Sequence, residues 1–292
     1  MKPLNTAIND LLHKGTVIPA HPLVLRNDLS VDEERQKRLT RYYIASGAGG
    51  IAVGVHTTQF EIRDPGIRLL EPVLKMAAEE VNNAGLKRPF IKVAGICGAT
   101  DIAIKEAELA AKYDYHLGLL SNGGLADYSE AQLIKRAEAV AAIIPLFGFY
   151  LQPAVGGRRL SYGFWRDFAD IPNVCAIKVA AFNRYQTLDV VRAVCDSPRK
   201  DEIALYTGND DNIVADLLTP YRFAIDGKTV EKRFTGGLLG HWAVWTQKAV
   251  HLLEETKQCI ASGYQGIEAL LSKGIAVTDM NAAIFDAGNA YH

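Results

Sequence analysis

Short apolar runs alternate along most of the chain with longer segments that carry apolar residues three or four positions apart. The short runs predict strands, and the longer segments, which are charged on their other face, predict helices packed on a sheet. The predicted strands are residues 16–20, 49–55, 90–96, 115–120, 146–152, 173–179, 202–208 and 231–240. The predicted helices between them are residues 31–46, 68–85, 101–113, 129–144, 162–169 and 184–195.

A strand followed by a helix thus recurs about eight times over roughly 240 residues, as in a parallel α/β fold. No glycine-rich dinucleotide-binding pattern follows the first strand, so the order favours a closed (β/α)8 (TIM) barrel over an open, doubly wound sheet. Residues 1–260 are expected to form the barrel domain and residues 261–292 a helical extension. Alternation around Asp226-Gly227 predicts an inserted hairpin before the eighth strand, and the segments 241–259, 264–273 and 277–292 predict helices beyond the barrel.

Composition narrows the functional classes. The chain is 49% hydrophobic with a net charge of −1, so it lacks the basic surface that nucleic-acid binding requires. No apolar run approaches the roughly 20 residues that span a bilayer, and the first residues lack the pattern of a signal peptide, which predicts a cytoplasmic protein without membrane contact. The four cysteines and seven histidines show no metal-binding spacing, so neither a metal nor a cofactor is expected.

Lys178 is a charged residue inside an otherwise apolar predicted strand, the sixth. Alternation puts Ala176, Lys178 and Ala180 on one face, and Cys175, Ile177 and Val179 on the other. The bulky trio suits the layer between barrel and helices, which leaves the lysine facing inward between alanines. The amine could reach water or pair with a carboxylate. Active sites in such barrels lie at the carboxyl ends of the strands, and there apolar surroundings would lower the pKa of the amine and make it a nucleophile towards ketones.

Three further residues predict a reaction site around that amine. Tyr150, near the end of the fifth strand, could carry protons, although a buried tyrosine with a satisfied hydroxyl explains it equally well. Thr58 is on the face of the second strand predicted to point inward, and Thr57 is next to it at the turn. Their hydroxyl and backbone N–H groups could hold a carboxylate.

The chain resembles the dihydrodipicolinate synthase and N-acetylneuraminate lyase family of (β/α)8 enzymes, which form a Schiff base with pyruvate or related 2-oxo acids. The similarity runs from GTVIPAHPL (15–23) to LYTGNDD (205–211), and its most specific motifs are NVCAIKVA (173–180), FYLQPAVGG (149–157) and SGAGGIAVGVHTTQ (46–59). The resemblance implies that Lys178 forms the imine, that Tyr150 shuttles protons, and that Thr57 and Thr58 hold the substrate carboxylate. It also implies a homo-oligomer, either a dimer or a tetramer.

Departures from the family pattern argue against a true dihydrodipicolinate synthase. Gln59-Phe60 replaces the usual Gly-Glu after the threonines, and Val155 replaces the arginine that grips a second carboxylate in those enzymes. Asn122 stands in the stretch where they have a tyrosine. Without its cationic partner that carboxylate would lose about 2–3 kcal/mol of binding.

The leading hypothesis is a class I lyase or aldolase that makes or breaks a carbon–carbon bond to a 2-oxo acid. A keto-deoxy sugar acid dehydratase would use the same lysine imine and expel water instead. A barrel that kept the fold and binds a metabolite without catalysis is a third possibility, favoured by the departures and opposed by the presence of Lys178, Tyr150 and both threonines. A metal-dependent aldolase would need a ligand cluster that the sequence does not display.

Overall fold

Eight parallel strands form the centre of the protein. The structure, a computed structural model, describes residues 3–285. In chain order the barrel strands are β1 (Val17–Pro19), β2 (Gly50–Val53), β3 (Ile91–Ile96), β4 (Leu117–Leu120), β5 (Leu146–Leu151), β6 (Val174–Ala180), β7 (Ala204–Thr207) and, after a two-stranded insertion, β10 (Phe234–Leu239). From β2 onwards each barrel strand pairs with the next, and β10 pairs with β1. A bridge between Ala20 and Ala52 joins the first two strands, which confirms the predicted (β/α)8 barrel.

Helices surround the barrel, and every helix predicted between the strands is confirmed. They are α2 (Glu33–Ala45), α3 (Leu70–Asn83), α4 (Thr100–Lys112), α5 (Glu130–Ala141), α6 (Tyr162–Asp170) and α7 (Arg184–Asp196), with α1 (Thr6–Lys14) and α8 (Ile213–Leu218) unpredicted. Helix α1 precedes the first strand and lies outside the repeating pattern. It buries Ile8 and Leu12 against the inside of the barrel, and the Leu12 carbonyl accepts a hydrogen bond from Tyr206 at 2.9 Å.

The insertion before the eighth barrel strand is a hairpin, as predicted. It consists of the antiparallel strands β8 (Tyr221–Ile225) and β9 (Lys228–Lys232). Asp226 and Gly227 both have positive φ angles, 50° and 74°. Two such residues between paired strands form the tight turn that matches the twist of a hairpin.

The C-terminal part differs from the prediction in one respect. Helices α9 (Thr246–Ala261) and α10 (Ile267–Phe285) follow the barrel, so the two predicted segments 264–273 and 277–292 share one helix up to Phe285, and residues 286–292 lie outside the described range. A Cβ added at Gly274, inside α10, would lie 3.0 Å from the Cβ of Val214 on α8. The glycine therefore serves close packing of two helices and does not end a helix.

The apolar core has two layers, one inside the barrel and one between strands and helices. In β6, Ala176 and Ala180 belong to the inner layer, and Ile177 and Val179 belong to the outer one, as predicted. Cys175 was predicted to face outward and instead packs against the inner layer. The register shifts there, because Leu146 pairs with Val174 and the next residue pairs with Ala176, so Cys175 is the extra residue of a bulge.

Candidate active site

Lys178 lies near the carboxyl end of β6 and is 8% exposed. Its strand partner on β5 is Phe149, and Nζ is 4.3 Å from the centre of that aromatic ring. Gly208 faces the lysine stem from the end of β7. A Cβ at that glycine would stand 2.5 Å from Lys178 Cε, so the absence of a side chain there leaves the lysine its space.

The enclosure changes the acidity of the amine. Burial lowers the pKa of Lys178 from 10.5 to about 8, and the Asp210 carboxylate acts in the opposite direction. Within residues 3–285 no hydrogen bond or ion pair reaches Nζ. With these pKa values roughly a tenth of the amine is neutral at pH 7, against about three parts in ten thousand for an ordinary lysine. At pH 7 the neutral, nucleophilic fraction of Lys178 is therefore about 300-fold larger than that of a lysine on the surface.

Tyr150 does not face this amine. Its ring belongs to the layer between barrel and helices, 5.3 Å from the Trp165 ring of α6, and its hydroxyl oxygen accepts a 3.4 Å hydrogen bond from the Leu160 N–H. The phenol of Tyr150 therefore lies on the outer face of β5, and its role as proton carrier stays a prediction. Partners in a parallel ladder point the same way, so Phe149, the partner of Lys178, occupies the inward position and its neighbour Tyr150 points outward.

The two threonines follow β2 in a single 3₁₀ turn (His56–Thr58). Thr58 is buried, and its hydroxyl donates to the His21 carbonyl at 2.6 Å and accepts from the N–H groups of Gly54 and Val55. That hydroxyl ties the ends of β1 and β2 together and has no capacity left for a ligand. Thr57 is half-buried, and in the described chain its hydroxyl has no protein partner, so Thr57 is the threonine that can offer a hydroxyl to a substrate.

Asp210 and His241 form a pair beyond the ends of two barrel strands that sequence reasoning missed. Asp210 follows β7 and His241 follows β10, and the distance from His241 Nδ1 to Asp210 Oδ1 is 3.4 Å. The His241 ring lies 5.9 Å from that of Trp245 and borders a cleft of about 240 Å³ beside α9 and α10. The two residues are distant in sequence, so spacing gave no sign of them. Their positions just after two barrel strands were the available signal.

The two departures from the family pattern noted in the sequence, Asn122 and Val155, put no charged side chain at their positions. Asn122, after β4, is buried, and its Oδ1 accepts from Arg136 at 3.2 Å. Val155 ends a short 3₁₀ turn after β5. Arg158, close by in sequence, donates to the backbone carbonyls of Leu125 and Tyr128, which places its guanidinium on the neighbouring loop.

In residues 3–285 no group of three or more His, Cys, Asp or Glu side chains is arranged to hold a metal ion. None of the helices in that range is both long and apolar enough to cross a membrane.

Comparisons with known proteins agree with the motifs and the fold. No family model matches the chain. An N-acetylneuraminate lyase from Citrobacter koseri is 25% identical over 214 residues, which cover 69% of this chain and 65% of that relative. The chain therefore aligns with less than two thirds of the length of that curated relative.

Solved structures share the fold at lower identity. Dihydrodipicolinate synthase from Aquifex aeolicus superposes with a TM-score of 0.73 at 17% identity, over 94% of this chain and 84% of that one. A prophage protein of the dihydrodipicolinic acid synthase family from E. coli K12, solved in complex with pyruvate, gives a TM-score of 0.73 at 17% identity, over 92% and 82%. The solved structures show that the chain shares the (β/α)8 fold of these enzymes, and its sequence is similar to that of an N-acetylneuraminate lyase.

Proposed function

We propose that the protein is a class I lyase, or aldolase, that forms a Schiff base between Lys178 and pyruvate or a related 2-oxo acid. The observation that supports this most strongly is the amine itself, which is buried at the carboxyl end of the barrel with a pKa lowered to about 8. The E. coli relative was solved with pyruvate, and the Citrobacter relative is named as a lyase. Both descriptions fit a site built around a nucleophilic lysine.

The chemistry follows from the neutral amine. Nζ adds to the C2 carbonyl carbon of the 2-oxo acid, and the resulting carbinolamine loses water to give a protonated imine. When the bond between C3 and C4 of a 4-hydroxy-2-oxo acid breaks, its electron pair enters the C2–C3 bond and neutralises the imine nitrogen. The C4 hydroxyl gives up its proton to a base as the aldehyde leaves, and the remaining enamine takes up a proton at C3 and is hydrolysed by water to pyruvate, which frees the amine.

Substrate binding is assigned to the turn after β2. In this proposal the Thr57 hydroxyl and the backbone N–H groups of the turn hold the substrate carboxylate, and Thr58 holds the turn in shape through its three hydrogen bonds. The assignment of Tyr150 as proton shuttle stays a prediction of the resemblance, and its outward orientation speaks against it.

The acceptor is proposed to lack the second carboxylate that a dihydrodipicolinate synthase must hold. The guanidinium groups of Arg136 and Arg158 are already bonded to protein oxygens, so neither arginine is free to pair with a second anionic group. Dehydration of a keto-deoxy sugar acid remains the second candidate, because it uses the same imine. The cytoplasmic location and the dimeric or tetrameric assembly also stay predictions.

A turnover assay tests the proposal. A panel of 4-hydroxy-2-oxo acids with neutral and hydroxylated side chains is incubated with the enzyme, and both released pyruvate and dehydrated oxo acid are measured. We expect pyruvate and an aldehyde in equal amounts, and no turnover by Lys178→Met. A dehydrated product without pyruvate would favour the dehydratase. No reaction and no pyruvate binding across the panel would favour the non-catalytic barrel.

A further inference from the structure

Lys178 stands among apolar groups at the carboxyl end of the barrel. Phe149 is its ladder partner on β5, and the centre of that ring is 4.3 Å from Nζ. On the other side, at the end of β7, a Cβ at Gly208 would lie 2.5 Å from Lys178 Cε and 2.9 Å from the Ala180 Cβ. The lysine thus lies between an aromatic ring on one side and a glycine and an alanine on the other.

Three further apolar side chains reach this end of the barrel from the loops. Phe60 follows the turn after β2, Val155 ends the turn after β5, and Phe182 lies two residues beyond β6. All three are partly exposed and pack against the inner layer of the core. Residues that follow the strands meet the inner layer at its carboxyl end, which is the end that contains Lys178. Together with Phe149 they form an apolar rim around the lysine.

Phe182 has an unusual backbone conformation. Its φ angle is 50°, in the left-handed region that a bulky residue rarely adopts. The conformation is fixed by a 2.9 Å hydrogen bond from the Phe182 N–H to Asn209 Oδ1, and Asn209 directly follows the glycine that faces the lysine stem. Strained residues persist where the surrounding structure holds them, and they cluster at ligand sites. The strain therefore indicates that the ring of Phe182 serves a ligand at the mouth of the barrel.

Two polar side chains next to the rim are already bonded to the protein. Asn209 Nδ2 donates to Asp216 and Thr187, and its Oδ1 is used by Phe182. The Thr58 hydroxyl is used by backbone groups. A polyhydroxylated chain would lose its hydrogen bonds to water against the rim and find no replacement there, whereas an apolar chain has none to lose. The rim therefore favours an apolar group.

We propose that the apolar rim binds an aromatic group on C4 of the substrate, so that the aldehyde released or consumed at this site is an aromatic one. The inference rests on the proposed function and names its substrate class. The change is a retro-aldol cleavage, in which the 4-hydroxy-2-oxo acid gives an aromatic aldehyde and pyruvate and no oxidant or reductant is needed. Aromatic rings pack on one another in offset or edge-on arrangements, and Phe149 and Phe182 supply such partners.

A pair of substrates tests the rim. Two 4-hydroxy-2-oxo acids are compared, one with a phenyl group on C4 and one with a 1,2-dihydroxyethyl group, and released pyruvate is measured for each. We expect the wild type to cleave the phenyl substrate with a kcat/KM about 10-fold higher or more. Phe182→Gly removes the ring, and glycine adopts a φ of 50° without strain. It should lose about 10-fold in kcat/KM for the phenyl substrate and less than about 2-fold for the other.

Two further variants locate the effect. Phe182→Asn replaces the ring by an amide in a residue that also tolerates the left-handed conformation, and it should show the same selective loss. Tyr185→Ala changes an aromatic residue of α7 that is 81% exposed and lies outside the rim, and it should cleave both substrates like the wild type. A wild type that prefers the dihydroxyethyl substrate, or Phe182 variants that lose both activities equally, would overturn the inference.

Borohydride trapping with pyruvate distinguishes this failure from a failure of the proposed function. Pyruvate has no C4 group, so the wild type and both Phe182 variants should be trapped alike. If the wild type is not trapped, the lysine imine is refuted and the inference falls with it. If the wild type is trapped but does not cleave the phenyl substrate, the inference alone is overturned. Loss of trapping in both Phe182 variants would also overturn it, because the ring would then be needed to build the site and not to bind the C4 group.

Discussion

Replacing Lys178 by methionine should stabilise the protein at neutral pH. The folded-state pKa of about 8 lies below the ordinary 10.5, so at pH 7 the buried ammonium costs about 3 kcal/mol relative to the unfolded chain. Methionine is unbranched and of similar length, and it carries no charge to desolvate. We therefore expect Lys178→Met to raise the free energy of unfolding by up to about 3 kcal/mol while abolishing imine formation.

The stability that Lys178→Met gains over the wild type should decrease as the pH rises. A lysine whose pKa is lowered in the folded state binds fewer protons there than in the unfolded chain between pH 8 and 10.5, so wild-type stability rises relative to the variant in that window. The difference between the two proteins should fall to about half of its neutral value by pH 9.5. Urea unfolding followed by circular dichroism at pH 7, 8.5 and 9.5 measures it.

Lys92→Met provides a matched control. Lys92 lies on β3 and is also buried, and its ammonium donates to Asn82 at 3.1 Å and to the Tyr113 carbonyl at 3.4 Å. Burial lowers the pKa of Lys92 as well, but its two hydrogen bonds offset part of the cost of the charge, so Lys92→Met should be stabilised less than Lys178→Met. Two results would contradict this prediction: a Lys178→Met variant less stable than the wild type at pH 7, or a difference in stability that is the same at every pH. Either result would mean that the ammonium is compensated inside the barrel.

Three other variants test separate parts of the site. Asp210→Asn removes the charge that favours the ammonium, so the pKa of Lys178 should fall below 8 and the pH profile of borohydride trapping should shift to lower pH. Thr57→Ala should raise the KM for pyruvate with little loss of stability. Thr58→Val should lower the free energy of unfolding by about 1–3 kcal/mol, because it leaves buried backbone groups unpaired. Equal effects on KM and stability in both variants would contradict the different roles of the two threonines. Gly208→Ala brings a methyl group against the lysine stem, so trapping should slow several-fold, and an unchanged trapping rate would show that the lysine needs no such space.

The parts of the fold that sequence predicts well are those that repeat. Strand and helix periods recur through the chain, and the inward position of Lys178 follows from bulky neighbours on the opposite face. The direction of the side chains in β5 is harder to predict from sequence, because aromatic residues occur on both faces of the strand. Only pairing with β6 shows that Phe149 points inward and Tyr150 outward.

Other features depend on contacts that a single segment does not contain. The bulge at Cys175 arises from the register between two strands, and the continuity of α10 across Gly274 arises from its packing on Val214. His241 and Asp210 come together only because the ends of β7 and β10 meet at one face of the barrel. Pairwise geometry of this kind needs the folded chain.

The claim on which the rest depends is that the Lys178 amine condenses with the carbonyl carbon of a 2-oxo acid. Its most direct measurement is a peptide map by mass spectrometry after the native protein has been reduced with borohydride in the presence of pyruvate. We expect one reduced pyruvate adduct, carried by the peptide that contains Lys178 and absent when pyruvate is omitted. An adduct on a different lysine, or an unmodified Lys178 at saturating pyruvate, would contradict it.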